Sequence, residues 1–188
     1  MRNEEPVISW GEESQIPSIH SCYNSANHTH FPEIRELGTL DYVTRTCSLI
    51  PNIVARVGDT IVGWLGFRIA DGNSRLEALY VEGPWQRKGV GSRLLAFYFR
   101  HLYLNQVRTA ASRVFMGFPS PRNFLEKHEF RLYRSPDNDL ELKRYGGLWS
   151  FLESETEGGQ SRSLLFYRIL LPFQDFPAAP PSGSIACV

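Results

Sequence analysis

Gln86, Arg87, Lys88, Gly89, Val90 and Gly91 are the residues of this chain whose types and spacing best suit a charged ligand. Two glycines two positions apart let a backbone approach a ligand closely, and the cations beside them attract an anion. Upstream, Arg75-Leu76-Glu77-Ala78-Leu79-Tyr80-Val81 is rich in apolar and aromatic residues and reads as a strand. Downstream, from Ser92 to about Gln106, apolar residues recur at helical spacing with no Pro or Gly among them. A strand, a glycine turn and a helix start make an anion cradle, because the first free N–H groups of the helix point at the negative charge. The expected ligand carries phosphate.

Two familiar phosphate loops do not fit. A dinucleotide fingerprint needs a third glycine, where the chain has Leu94, and an acidic residue about twenty positions on, where it has Thr109-Ala110-Ala111-Ser112. A nucleoside-triphosphate loop ends in Gly-Lys-Ser or Gly-Lys-Thr, and neither run occurs. What remains is Gln-x-x-Gly-x-Gly. Set within Leu76-Glu77-Ala78-Leu79-Tyr80-Val81-Glu82-Gly83-Pro84-Trp85-Gln86-Arg87-Lys88-Gly89-Val90-Gly91-Ser92-Arg93-Leu94-Leu95, it resembles the acyl-CoA signature of the GNAT superfamily of N-acetyltransferases. The competing reading is a glycine turn capping an ordinary buried helix.

The resemblance implies a mixed α/β (α+β) domain with a mostly antiparallel central sheet, splayed between its fourth and fifth strands and flanked by helices. It also implies acetyl-CoA as cosubstrate. Backbone N–H groups from Arg87 through Lys88, Gly89, Val90 and Gly91 to Ser92 would cradle the pyrophosphate, with Gln86 opening the loop. Arg87 and Lys88, with Arg93 as a further candidate, would add Coulombic attraction. Leu79, Tyr80 and Val81 would lend main-chain groups to the pantetheine arm, as an added strand does at a free sheet edge.

Acyl transfer to an amine also needs a base and a proton for the departing thiolate. Glu77, an isolated carboxylate in an apolar strand, is the first choice of base; the alternative is a solvated side chain or one paired with Arg68 or Arg75. Many members of the family carry a tyrosine acid within a run resembling Phe-Tyr-Glu-Lys-x-Gly-Phe. The matching run here is Phe124-Leu125-Glu126-Lys127-His128-Glu129-Phe130, so leucine replaces the tyrosine and glutamate the glycine. Tyr133, Tyr80 and His128 are the candidate substitutes, or the thiol, with a pKa near 8.5, leaves unaided. Phe31, Trp64 and Phe67 are candidates for lining the acceptor cleft, against a core reading for each. No metal is expected, since neither the cysteines nor the histidines show ligand spacing.

Several elements must position these groups. Val7–Trp10 reads as a strand, a helix opens at Pro17 and runs to about Ser25, and a second begins near Pro32 or around Leu40 to Thr46. Residues 52–57 and 60–69 form a hairpin across Gly58-Asp59, and Asp71-Gly72-Asn73 turns the chain into the strand at 75–81, an antiparallel meander. After the long helix come a strand at 110–118, a short helix opened by Pro119 to Pro121, and closing strands at 130–133 and 163–171.

At 188 residues, with 42% hydrophobic and 21% charged residues, the chain fits one globular domain. We assign residues 1–171 to it and 172–188 to a Pro-rich disordered tail. Twenty basic against twenty acidic residues argue against a dedicated nucleic-acid or anionic-membrane surface. Three cysteines without pairing logic suggest free thiols in a cytoplasmic protein, and no run reaches a membrane span. The expectation is an N-acetyltransferase, monomeric or homodimeric, moving an acetyl group directly to a small-molecule or protein amine. The alternative is a module that binds acyl-CoA but has lost catalysis.

Overall fold

The computed structural model describes residues 5–28, 39–115, 119–133 and 163–170, apart from the side chains of residues 115, 119, 120, 163 and 164. The segment holding Phe31 and the tail at 172–188 lie outside the described residues. The element order is β1 (Val7–Trp10), α1 (Ile16–His28), α2 (Leu40–Leu49), β2 (Asn52–Val57), β3 (Thr60–Ala70), β4 (Asn73–Val81), α3 (Val90–Leu104), β5 (Thr109–Phe115), α4 (Pro119–Lys127), β6 (Arg131–Leu132) and β7 (Ser163–Ile169). Among the described residues, seven strands form one sheet in the order β1-β2-β3-β4-β5-β7-β6. All neighbours are antiparallel except β4 and β5, which run parallel.

Each face of the sheet carries its own core. In α3, Val90, Leu94, Leu95, Tyr98 and Leu102 recur at helical spacing and pack with Ile53, Leu65, Phe67, Leu76 and Phe166. On the opposite face, Ile16, Ile19, Cys22 and Tyr23 of α1 and Val43 and Cys47 of α2 cover Val54, Trp64 and Ala78. The α2 helix starts at Leu40 because the Thr39 hydroxyl accepts from the Tyr42 N–H, a side-chain N-cap. Trp64 is accommodated in the second core by donating its indole N–H to Asn52 Oδ1 at 2.9 Å.

Several boundaries differ from the sequence expectation, and two of them bear on the site. The β4 strand begins at Asn73 rather than at Arg75, because its first residues are held by buried polar bonds. Thr109 Oγ1 donates to Asn73 Oδ1, Tyr98 Oη donates to Ser74 Oγ, and Ser74 Oγ donates to the Arg68 carbonyl, each at 2.8 Å. The α3 helix begins at Val90 rather than at Ser92, because Gly89 adopts φ 83° and turns the chain into the helix. Among the described residues no helix is long and apolar enough to cross a membrane.

Candidate active site

The parallel pairing of β4 with β5 covers Asn73 to Leu76 against Thr109 to Ser112 and then stops. From Ala78 to Val81, β4 keeps register, among the described residues, with β3 alone. The fork coincides with an irregularity: Gly66 pairs with Ala78 and Phe67 with Leu76, so Glu77 is the extra residue of a bulge. A bulge bends its strand and raises local twist, which turns the second half of β4 away from β5. The buried bond from Thr109 Oγ1 to Asn73 Oδ1 ties β5 to β4 at the closed end of the fork. Leu79, Tyr80 and Val81 thereby sit on a stretch of β4 that β5 does not pair.

The open edge leads directly into the glycine loop. The Gln86 side-chain amide donates to the Val81 carbonyl at 2.9 Å, so Gln86 ties the loop to the strand end. Arg87 has φ 61° and Gly89 φ 83°, two left-handed residues that curl the loop before α3. Such curls gather backbone N–H groups into an anion-binding concavity, and Val90, Gly91 and Ser92 add the unshared N–H groups of a helix start. Gly91 packs closely: a Cβ there would lie 3.2 Å from the Phe124 ring and 3.8 Å from Val81. Arg87 and Lys88 are exposed, and the Lys88 ammonium stands 5.1 Å above the Trp85 ring. Arg93 is engaged elsewhere, in a 2.8 Å ion pair with Glu5.

Glu77 is held between two guanidinium groups, 3.2 Å from Arg68 and 3.2 Å from Arg75. Arg75 lies between Ser74 and Leu76, which both face α3, so this cluster occupies the α1/α2 face of β4. Further along that face Tyr80 stacks on Trp64 at 5.7 Å and meets Tyr23 edge-on at 4.8 Å. Burial, with Tyr23 and Tyr42 beside it, pushes the Tyr80 phenol well above its ordinary value, so it stays protonated at neutral pH. Glu82, just past the strand end, is also raised by burial.

The remaining candidates are dispersed. Trp64 and Phe67 are both fully buried and lie on opposite faces of β3, so they do not share a cleft wall. Tyr133 follows β6, half-buried, its N–H bonded to the Leu165 carbonyl at 2.9 Å. Leu125 points into the α3-side core with 3% of its surface exposed. A contact that spacing alone could not reveal joins α3 to α4: Ser92 Oγ lies 2.9 Å from His128 Nε2. Burial, reinforced by the Lys127 and Arg168 charges and opposed by Glu129, lowers the His128 pKa and favours neutral imidazole. Among the described residues no three His, Cys, Asp or Glu side chains gather as a metal site.

An open sheet forked between two parallel strands, with a glycine loop and helix start at the fork, is the architecture that the resemblance implies. Residues 51–132, from the start of β2 to the end of β6, match the family model of the Acetyltransferase (GNAT) domain. Over that stretch the chain is similar to a GNAT domain. No curated protein sequence matches it. Among solved structures, a GNAT-family acetyltransferase from Staphylococcus aureus Mu50 superposes with TM-score 0.65 at 16% identity, covering 88% of this chain and 99% of that one. PaiA N-acetyltransferase from Thermoplasma acidophilum, in complex with coenzyme A, has TM-score 0.65 at 12% identity, covering 87% and 98%. The ribosomal-protein-S18-alanine N-acetyltransferase from Escherichia coli has TM-score 0.63 at 13% identity, covering 96% and 99%. At these identities the likeness is one of fold.

Proposed function

We propose that this protein is an N-acetyltransferase that moves an acetyl group from acetyl-CoA to a primary amine within a ternary complex. The observation that carries this reading is the open β4 edge from Ala78 to Val81, which leads straight into the Arg87–Ser92 loop. An extended pantetheine arm can pair with that edge while the pyrophosphate rests on the loop and helix N–H groups. The coenzyme A complex of the Thermoplasma fold relative supports the choice of ligand. Arg87 and Lys88, both exposed beside the loop, add attraction for the polyanion.

In this reading a backbone N–H near Val81 polarises the thioester carbonyl, and the amine attacks it directly. Glu77 acts as base through a water, its carboxylate oriented by Arg68 and Arg75. Tyr133 is the candidate donor to the departing thiolate, which at a pKa near 8.5 is also able to leave unassisted. The S18-alanine acetyltransferase among the fold relatives supports a protein N-terminus as one acceptor class, beside small amines. We assign residues 1–171 to the catalytic domain and place the protein in the cytoplasm as a monomer or homodimer.

A second reading is a module that binds acyl-CoA without turnover. It is favoured by Leu125, whose aliphatic side chain occupies the core where the family tyrosine would stand. Acetyl-CoA should raise the unfolding temperature in proportion to the logarithm of its concentration. Thiol release on adding a panel of amines and N-terminal peptides then distinguishes enzyme from module. No stabilisation at saturating acetyl-CoA sinks both readings.

A further inference from the structure

The Ser92–His128 contact spans thirty-six residues of sequence and joins the first turn of α3 to the end of α4. His128 is fixed on several sides. Its N–H donates to the Leu125 carbonyl at 2.9 Å, and its own carbonyl accepts from Arg168 Nη1 at 2.9 Å. Its ring packs on Phe124 with centroids 4.7 Å apart, and Phe124 in turn lies against Gly91. The imidazole is thus aimed at Ser92 by the same packing that shapes the loop.

A serine hydroxyl has one proton to give. Donated to His128, it leaves only oxygen lone pairs facing outward, which a phosphate oxygen repels. When Nε2–H donates to Ser92 Oγ instead, the hydroxyl proton is free to meet the phosphate. We propose that His128 is a positioning residue of the donor site, one that donates Nε2–H to Ser92 and so turns the Ser92 hydroxyl toward the pyrophosphate of bound CoA. This rests on the acetyl-CoA reading above.

Neutral imidazole permits either direction of the bond, whereas imidazolium permits only the productive one. The charged groups around the ring are Lys127 and Glu129 on its own segment and Arg168 from β7, with the uncharged Ser92 hydroxyl contributed by α3. Burial and the two cations keep the free protein's imidazole neutral, and an arriving polyanion reverses that preference. CoA binding therefore takes up a proton, and affinity rises as pH falls below neutrality.

The test is calorimetric titration with 3′-dephospho-CoA, which keeps the pyrophosphate but lacks a monoester phosphate titrating in this range. It is run from pH 5.5 to 8 in buffers of different ionisation enthalpy. Wild type should bind more tightly at low pH with proton uptake. His128→Leu should weaken binding roughly three- to tenfold, the weight of one hydrogen bond, and flatten the pH dependence. His128→Gln, a donor that does not titrate, should restore most of the affinity while staying flat with pH. Ser92→Ala should cost about as much as His128→Leu, and the double variant little more. Wild-type affinity and slope in His128→Leu, or independent losses in the double variant, overturn the proposal. If His128→Leu has a lowered urea midpoint without ligand, the pH slope of His128→Gln decides. Failure of wild type to bind either acetyl-CoA or 3′-dephospho-CoA removes the CoA reading itself, and this inference with it.

Discussion

Glu129 sits one residue beyond His128 with φ 64°, a left-handed conformation that costs a side-chain-bearing residue about 1–2 kcal/mol. The resemblance places glycine there, and the structure shows why glycine suits the position. Arg168 offsets part of the strain by pairing with the Glu129 carboxylate at 2.6 Å, though three-quarters of that glutamate is exposed and such pairs contribute at most about 1 kcal/mol. Glu129→Gly should therefore be more stable than Glu129→Ala by about 1 kcal/mol, because both lose the ion pair and only alanine keeps the strain. Urea midpoints of the two variants check this. Glu77 is a second case. Its removal leaves Arg68 and Arg75 facing each other across β3 and β4, and like charges so placed repel. Glu77→Gln should lower the urea midpoint, and if Glu77 is the base it should also reduce kcat. A lowered midpoint with normal kcat would leave Glu77 a structural clamp only.

At the scale of elements, the β4–loop–α3 unit is built by local chemistry. Gly89 supplies the left-handed cap of α3, while Gly91 makes room for Phe124 and leaves the helix start uncovered. Gly91→Ala gains about 1 kcal/mol of helix propensity and displaces the Phe124 ring by a few tenths of an ångström. Stability should change little, while the dissociation constant for acetyl-CoA rises several-fold because a methyl group intrudes where ligand and Phe124 meet. Thermal unfolding with and without ligand separates the two effects. The unit was legible from sequence because strand periodicity, glycine spacing and helical periodicity are all short-range signals. The early start of β4 was not, because Asn73 reads as a turn residue until Thr109, thirty-six positions away, accepts it into the sheet.

For the molecule as a whole, packing α3 and α4 on one face of the sheet makes stability depend on pH through two histidines. Burial lowers the pKa of both His101 and His128 from 6.5. The unfolded chain then binds protons more readily than the native state, so stability declines as pH falls through 6.5. Glu82 acts in the opposite sense at lower pH: burial raises its pKa, so its contribution is lost as pH climbs from 4.5. Urea midpoints should fall between pH 7.5 and pH 5.5, and His101→Phe should make the decline shallower. His101 packs its ring against Trp10 and Phe67, so phenylalanine keeps the contact and drops the titration.

The chain's sequence alone determined the order of strands and helices, the glycine loop and the resemblance behind the proposed acetyl-CoA ligand, since each rests on residues within about twenty positions. Tertiary structure decided the rest, because it depended on register and on packing between distant segments. Only the bulge at Glu77 and the end of β4–β5 pairing show where the edge opens. Only the fold sends Trp64 and Phe67 to opposite faces, buries Leu125, and seats Glu77 between Arg68 and Arg75. Only the docking of α4 on α3 brings His128 to Ser92, a hydrogen bond between residues whose spacing in the chain carries no sign of it.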